Sequence, residues 1–229
     1  MIRIHPLDPD VRLDLEPDGP PLSPEDAAAV DRLWEAEMAA RGAGLFDGPI
    51  FSLKAHTPAR LSVRRLTYRR LIAARRDPAL AGRLGLRPVG VTALLLSPEG
   101  LVLGRRNRRL HTEPGRWEAA PAGVLDRLDW RAVVLDELRE ELGLDADQID
   151  APVAVALVEE VRTGVCDILC RMRTPLSAAE IRAAWRSGGT DEHEELAVVP
   201  LDALDRFLAG QAGAVLEALP AMLVAGLPR

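Results

Sequence analysis

The run Val89-Gly90-Val91-Thr92-Ala93-Leu94-Leu95-Leu96 constrains the fold of this chain more than any other segment. It is uncharged, rich in β-formers and long enough for a buried strand. Ser97-Pro98-Glu99-Gly100 then turns the chain into a second strand, Leu101 to Arg106. An irregular segment follows, and after it a helix over about 131–142, closed by Gly143 where a left-handed cap would stand. Further on come strands near 152–160 and 164–172, and a helix opened by the capping box Ser177-Ala178-Ala179-Glu180. A strand at Leu196–Val199 and a C-terminal helix from about Asp202 complete the chain. Strands and helices intermingle, which predicts an α/β fold with a mixed sheet and helices on its faces.

The length of 229 residues allows one large domain or a standard one with an appendage. The texture changes near Leu86, which divides an N-terminal extension, 1–85, from a second unit, 86–229. Residues 1–22 are proline-rich, with a β-like piece at Arg12 to Leu15. Ser23-Pro24-Glu25-Asp26 opens a helix that runs through Trp34 to Arg41 and ends at Gly42. Leu45 to Pro49 reads as a turn and Ile50 to Ala55 as a strand. Residues 60–76 are rich in arginine and leucine, and Asp77-Pro78 breaks that segment.

Charge and composition exclude several classes. The formal charge of −6 speaks against a nucleic-acid binder driven by a positive field. No stretch reaches the roughly 18 apolar residues of a membrane-spanning helix, and Met1 to Pro6 lacks the layout of a secretory signal. Cys166 and Cys170 fall on the apolar period-two set 166, 168, 170, 172, the buried face of a strand. Four residues apart on one strand, they stand about 13 Å from each other, too far for a disulfide. They read as core cysteines of a reducing compartment, the cytoplasm.

The chemistry is concentrated in Asp136-Glu137-Leu138-Arg139-Glu140-Glu141-Leu142-Gly143-Leu144. Helical spacing brings Glu137 together with Glu140 and Glu141, while Leu135, Leu138 and Leu142 face a core. Converging like charges cost a few tenths of a kcal/mol per pair, and the helix dipole disfavours anions near a C-terminus. A hard divalent cation would relieve both, and magnesium binds through carboxylates together with substrate phosphates. A second acidic cluster, Gly188 to Glu195, precedes the last strand; Glu194 is its candidate base or extra ligand, and His193 reads as a lone exposed histidine.

The acidic segment resembles the Nudix box, in which a glycine and a glutamate precede Arg-Glu-apolar-x-Glu-Glu-x-Gly-apolar. Glu137, Leu138, Glu140, Glu141, Gly143 and Leu144 match it. Upstream, Pro114-Gly115-Arg116-Trp117 is similar to the family's Pro-Gly-x-Trp approach, and Pro121-Ala122-Gly123 to its Pro-Ala-Gly opening. The chain departs from the pattern by a one-residue deletion within 124–130. It also has Asp136 in the slot of an arginine that helps orient the carboxylates, a task that Arg139 or Arg131 would have to take over.

The resemblance implies a Nudix-type α/β/α sandwich with a mixed sheet, preceded by an α+β extension serving specificity or dimerisation. It implies a magnesium-dependent hydrolase, manganese being an alternative ion, that cleaves the pyrophosphate of a nucleoside diphosphate linked to another group. Glu137, Glu140 and Glu141 would hold the metal, with Glu137, Glu141 and Glu194 as catalytic acids or bases. Arg105, Arg116, Trp117 and Gly123 would meet a small nucleotide substrate; a homodimer stays open. Leu45 to Phe51 and Leu66 to Arg70 are similar to segments of the branch that hydrolyses UDP-glucose and UDP-galactose, which implies UMP and a sugar 1-phosphate as products. Two alternatives remain: a catalytically impaired Nudix-fold protein that binds a ligand or regulates, and an isoprenyl diphosphate isomerase-like enzyme. The second needs a catalytic cysteine, which an apolar strand face does not offer.

Overall fold

The computed structural model describes residues 1–19, 21–41 and 45–227. In chain order its elements are β1 (Ile2–Pro6), β2 (Arg12–Leu15), α1 (Pro24–Arg41), β3 (Pro49–Thr57), β4 (Arg60–Thr67), α2 (Tyr68–Arg76) and α3 (Pro78–Leu84). Then follow β5 (Val89–Ser97), β6 (Gly100–Arg106), β7 (Trp117–Ala119), β8 (Ala122–Val124), α4 (Trp130–Leu142), β9 (Val153–Glu160) and β10 (Cys166–Arg173). The chain closes with α5 (Ala178–Gly188), β11 (His193–Val199), α6 (Leu204–Gly210) and α7 (Leu219–Gly226). The main sheet is mixed and ordered β1-β9-β10-β5-β6-β11, with β7 on β6 and β8 on β5. Strands β10 and β5 are parallel, their neighbours antiparallel. A smaller sheet, β2-β4-β3, lies beside it.

Strand β5 is buried on both faces, as its composition requires. Val89, Val91, Ala93 and Leu95 enter one core with Cys166, Ile168, Cys170 and Met172, and with Leu138, Leu142 and Ile181 from helices α4 and α5. Leu94, Leu96 and Leu169 point the other way and pack with Leu204, Leu219, Met222 and Leu223 of α6 and α7. Helices thus cover both faces of a mixed sheet, the α/β arrangement expected from the sequence. The period-two reading of the cysteines also holds, since both are fully buried.

The extension is stitched into this body. Strand β1 pairs with β9 at the edge of the main sheet, and Leu7, Val11, Leu13, Phe51, Leu53, Leu61 and Val63 share the first core with β5. Trp130 at the start of α4 donates its indole N–H to the Val11 carbonyl at 3.1 Å, and Arg131 lies over its ring, 4.4 Å from the centroid.

Several segments were less legible. Residues 60–76 fold as a strand and a helix, and Asp77 does more than break them. Its carboxylate accepts from the N–H groups of Ala79 and Leu80 and starts α3. The irregular segment after Arg106 contains β7 and β8, too short to show a period. The single C-terminal helix expected from Asp202 is a one-turn 3-10 segment, Leu201–Ala203, followed by two helices separated at 211–218. The predicted helix end at Gly42 lies outside the described residues.

Candidate active site

Helix α4 is fixed at both ends. The Asp129 carboxylate accepts from Ala132 N–H at 3.1 Å, and Gly143 takes the left-handed conformation, φ 65°, that ends the helix. A β-carbon there would also come within 2.5 Å of the Ala184 carbonyl oxygen, so α5 packs on the cap itself. Between these ends the three glutamates differ in exposure: Glu141 is 2% exposed, Glu137 half-buried and Glu140 exposed.

Glycines on the strands make room for charged side chains. A β-carbon at Gly123 would stand 1.9 Å from Glu137 Oε1, one at Gly104 would stand 2.4 Å from His193 Cδ2, and one at Gly90 would stand 2.3 Å from Asp167 Oδ1. The side chains so accommodated belong to α4, β11 and β10, and they bring acid and imidazole up against the backbone of the sheet.

Through the middle runs a buried chain of polar contacts. Arg106 Nη1 donates to both oxygens of Glu118, at 2.8 and 3.1 Å. Glu118 Oε1 lies 3.1 Å from His193 Nε2, and His193 Nδ1 lies 3.8 Å from Glu141 Oε2. The other oxygen of Glu141 accepts the N–H of Ala122 at 3.1 Å. Glu141 Oε2 and His193 Nδ1 are both buried without a hydrogen-bond partner. His193 is therefore an interior residue, 3% exposed, and not the exposed histidine read from the sequence; the absent side chain of Gly104 gives its ring a place.

A cavity of about 430 Å³ opens beside this chain. Its acidic wall includes Glu118, Glu137, Asp167 and Glu192, Arg106 and Arg116 lie on it as well, and Tyr68, Leu71 and Arg75 of α2 close it from the extension. Burial, reinforced by the charges of Glu140 and Glu192, pushes the Glu137 carboxyl up to about 7. Burial holds Glu141 well above the usual carboxylate range, with Glu192 and Glu118 adding to it and the Ala122 N–H opposing. Burial also raises Glu192, against the pull of Arg106. It lifts Asp167 to about 7, aided by Glu118 and Glu160.

These acids are crowded, desolvated and short of donors, and Glu141 Oε2 has no hydrogen-bond partner. A hard divalent cation satisfies that oxygen and offsets the repulsion, so the donor set fits magnesium or manganese. Among the described residues no three His, Cys, Asp or Glu side chains are grouped so that they could hold a metal ion as they stand. For Glu137, Glu140 and Glu141 to share one ion, the first two would have to rotate toward the third.

The other residues singled out in the sequence are placed as follows. Gly123 and Arg116 line the cavity; Arg116 is paired with Glu113 at 2.9 Å, a residue whose φ of 49° is strained for a side chain bearing a β-carbon. Trp117 is 2% exposed and packs edge-on to Phe207 in the second core. Arg105 lies over the Trp117 ring and is held by Glu194 at 3.0 Å and Glu195 at 2.9 Å. Glu194 also pairs with Arg108, and the acid of this loop that reaches the cavity is Glu192. Asp136 pairs with Arg127, Arg139 with Asp145 and Asp136, and Arg131 with the Pro9 carbonyl and Asp10. Neither Arg139 nor Arg131 forms an ion pair with the three glutamates.

Glu118, Glu192 and Asp167 were not foreseen. Two of them left a faint trace, Glu118 and Asp167 being single acids inside apolar runs; Gly90, Gly104 and Gly123 are glycines within strands, where close approach by another group is a standard cause. Burial of Cys166 and Cys170 pushes both thiols up to about 12, which leaves no nucleophilic cysteine for isomerase chemistry. Among the described residues no helix is long and apolar enough to cross a membrane.

No family model matches the sequence, and no curated protein matches it. Solved structures do. The chain is similar to DR0079 from Deinococcus radiodurans, with a TM-score of 0.51 at 16% identity over 77% of this chain and 98% of that one. It is also similar to the MutT protein from Methanosarcina mazei Go1, with 0.39 at 21% identity over 59% and 86%. For RenU, a Nudix hydrolase from M. smegmatis, the values are 0.36 and 17% over 57% and 89%. What the likeness to DR0079 establishes is a shared fold.

Proposed function

We propose that the chain is a divalent-cation-dependent pyrophosphohydrolase acting on a nucleoside diphosphate linked to a second group. The observation that carries this reading is the buried acidic wall facing a cavity that also holds Arg106 and Arg116. A bare pyrophosphate would be repelled by such a wall, and a wall of this kind has little use for a neutral ligand. The match of 137–144 to the Nudix box supports the same reading.

In the reaction, a water oxygen bonds to one phosphorus, the bridging P–O bond breaks, and the water's proton passes to a carboxylate. Glu137, Glu140 and Glu141 would hold magnesium, which when bound neutralises pyrophosphate charge and activates water. Glu137, which lines the cavity, would take the proton. Arg106 and Arg116 present guanidinium forks to phosphate oxygens. The acid of the late loop in this scheme is Glu192, while Glu194 steadies Arg105.

Tyr68, Leu71 and Arg75 belong to the extension and line the cavity, where they would meet the second group of the substrate. A UDP-sugar, cleaved to UMP and a sugar 1-phosphate, is the leading substrate. The test is turnover of UDP-sugars, other nucleoside diphosphate sugars, ADP-ribose, dinucleotides and nucleoside triphosphates with magnesium, for wild type and Glu141→Gln. Magnesium-dependent turnover that Glu141→Gln abolishes is the expected result. A second reading, a ligand-binding or regulatory protein without turnover, draws on Asp136, which stands in the arginine slot of the box and pairs with Arg127, while Arg131 and Arg139 of α4 pair with Asp10 and Asp145. Tight nucleotide binding with no turnover on any of these compounds would establish it.

A further inference from the structure

We infer that His193 is a positioning residue for Glu141, the inner link of an alternating series Arg106, Glu118, His193, Glu141 that orients the Glu141 carboxylate. This rests on the reading of Glu141 as a metal-holding residue. Glu118 is held by Arg106 on both oxygens, so toward the ring it can only accept, and Nε2 must donate to it. That fixes the plane of the imidazole, and Gly104 fixes its depth. The remaining nitrogen, Nδ1, then faces Glu141 Oε2 across 3.8 Å, and both atoms are buried without any other partner. The gap is about 1 Å longer than a hydrogen bond. With one proton between them, a small rotation of Glu141 closes it. Unmade, it leaves two polar atoms unsatisfied in the interior, which is unfavourable. The anchored imidazole thereby limits which way the carboxylate can face, while the Ala122 N–H holds its second oxygen.

The test compares wild type with His193→Phe, His193→Gln and Gly104→Ala. Mn2+ affinity is read by calorimetry without nucleotide, kcat and KM on the best substrate, and folding by thermal midpoint. The positioning role predicts that His193→Phe weakens Mn2+ binding about 10–100-fold and lowers kcat with little change in KM. His193→Gln, which keeps a donor, recovers part of both. Gly104→Ala changes no residue of the series but displaces the His193 ring, and it carries the test if His193→Phe does not fold. A folded His193→Phe or Gly104→Ala that binds Mn2+ and turns over like wild type overturns the inference and leaves the proposed function standing. A wild-type chain that binds no Mn2+ and hydrolyses none of the substrates removes both.

Discussion

A methyl group at position 123 would overlap the Glu137 carboxylate, 1.9 Å from one oxygen and 2.3 Å from its carbon. The side chain would have to leave its place, although nothing about its charge has changed. Gly123→Ala should therefore cut turnover about 100-fold, the scale of a 1 Å misplacement, with a much smaller loss in thermal midpoint. Equal losses in both would mean that Gly123 serves packing alone. Glu141→Gln acts in the opposite sense on stability. It removes a carboxyl whose charged form burial and neighbouring acids disfavour, so the metal-free variant should melt at or above wild type while losing metal-dependent turnover. At this scale the three glutamates of α4 were readable because they share one helix face. Glu118, Glu192 and His193 were not, because strand pairing and a loop bring them in from positions far apart in sequence.

Elements with strong local signals were foreseen almost to the residue. The helix predicted over 131–142 is Trp130–Leu142, and its C-terminal glycine caps it as expected. Gly143→Ala should destabilise the chain by about 1–3 kcal/mol, through left-handed strain in a residue with a β-carbon and the clash with the Ala184 carbonyl; chemical denaturation measures it. The indole of Trp130 is buried against the extension, so Trp130→Ala should cost about 3–5 kcal/mol. Short elements escaped prediction for a physical reason. Strands β7 and β8 span three residues each, and what holds them is their partners β6 and β5, not a pattern of their own. Helix α2 reads as surface because arginine pairs flank its short apolar stretch on both sides, yet Leu71, Ile72 and Ala73 are buried.

For the molecule as a whole, the first core contains residues from both sides of position 86. Expressed alone, residues 86–229 would expose Val89, Val91 and Trp130 where the extension now covers them. That fragment should be insoluble or lack a cooperative melting transition, and a cooperative transition near that of the full chain would contradict the shared core. Stability should also follow pH in a direction set by Glu137 and Asp167. Their carboxyls rise to about 7 from 4.5 and 3.8. Across that window the folded chain holds more protons than the unfolded one, so stability falls as pH increases. The metal-free protein should melt higher at pH 5 than at pH 8, magnesium should recover more at pH 8, and Glu137→Gln should flatten the profile. A metal-free midpoint that climbs from pH 5 to pH 8 would contradict the burial of these acids. The α/β class was legible from alternating strands and helices; the sharing of one core across the change in texture was not, since composition shows no long-range contact.

The three strand glycines also decide how such a chain can decay. One added carbon at 90, 104 or 123 evicts an acid or an imidazole that is itself still encoded. A lineage can lose its chemistry while every charged position survives, so a census of glutamates alone would count dead copies as living ones.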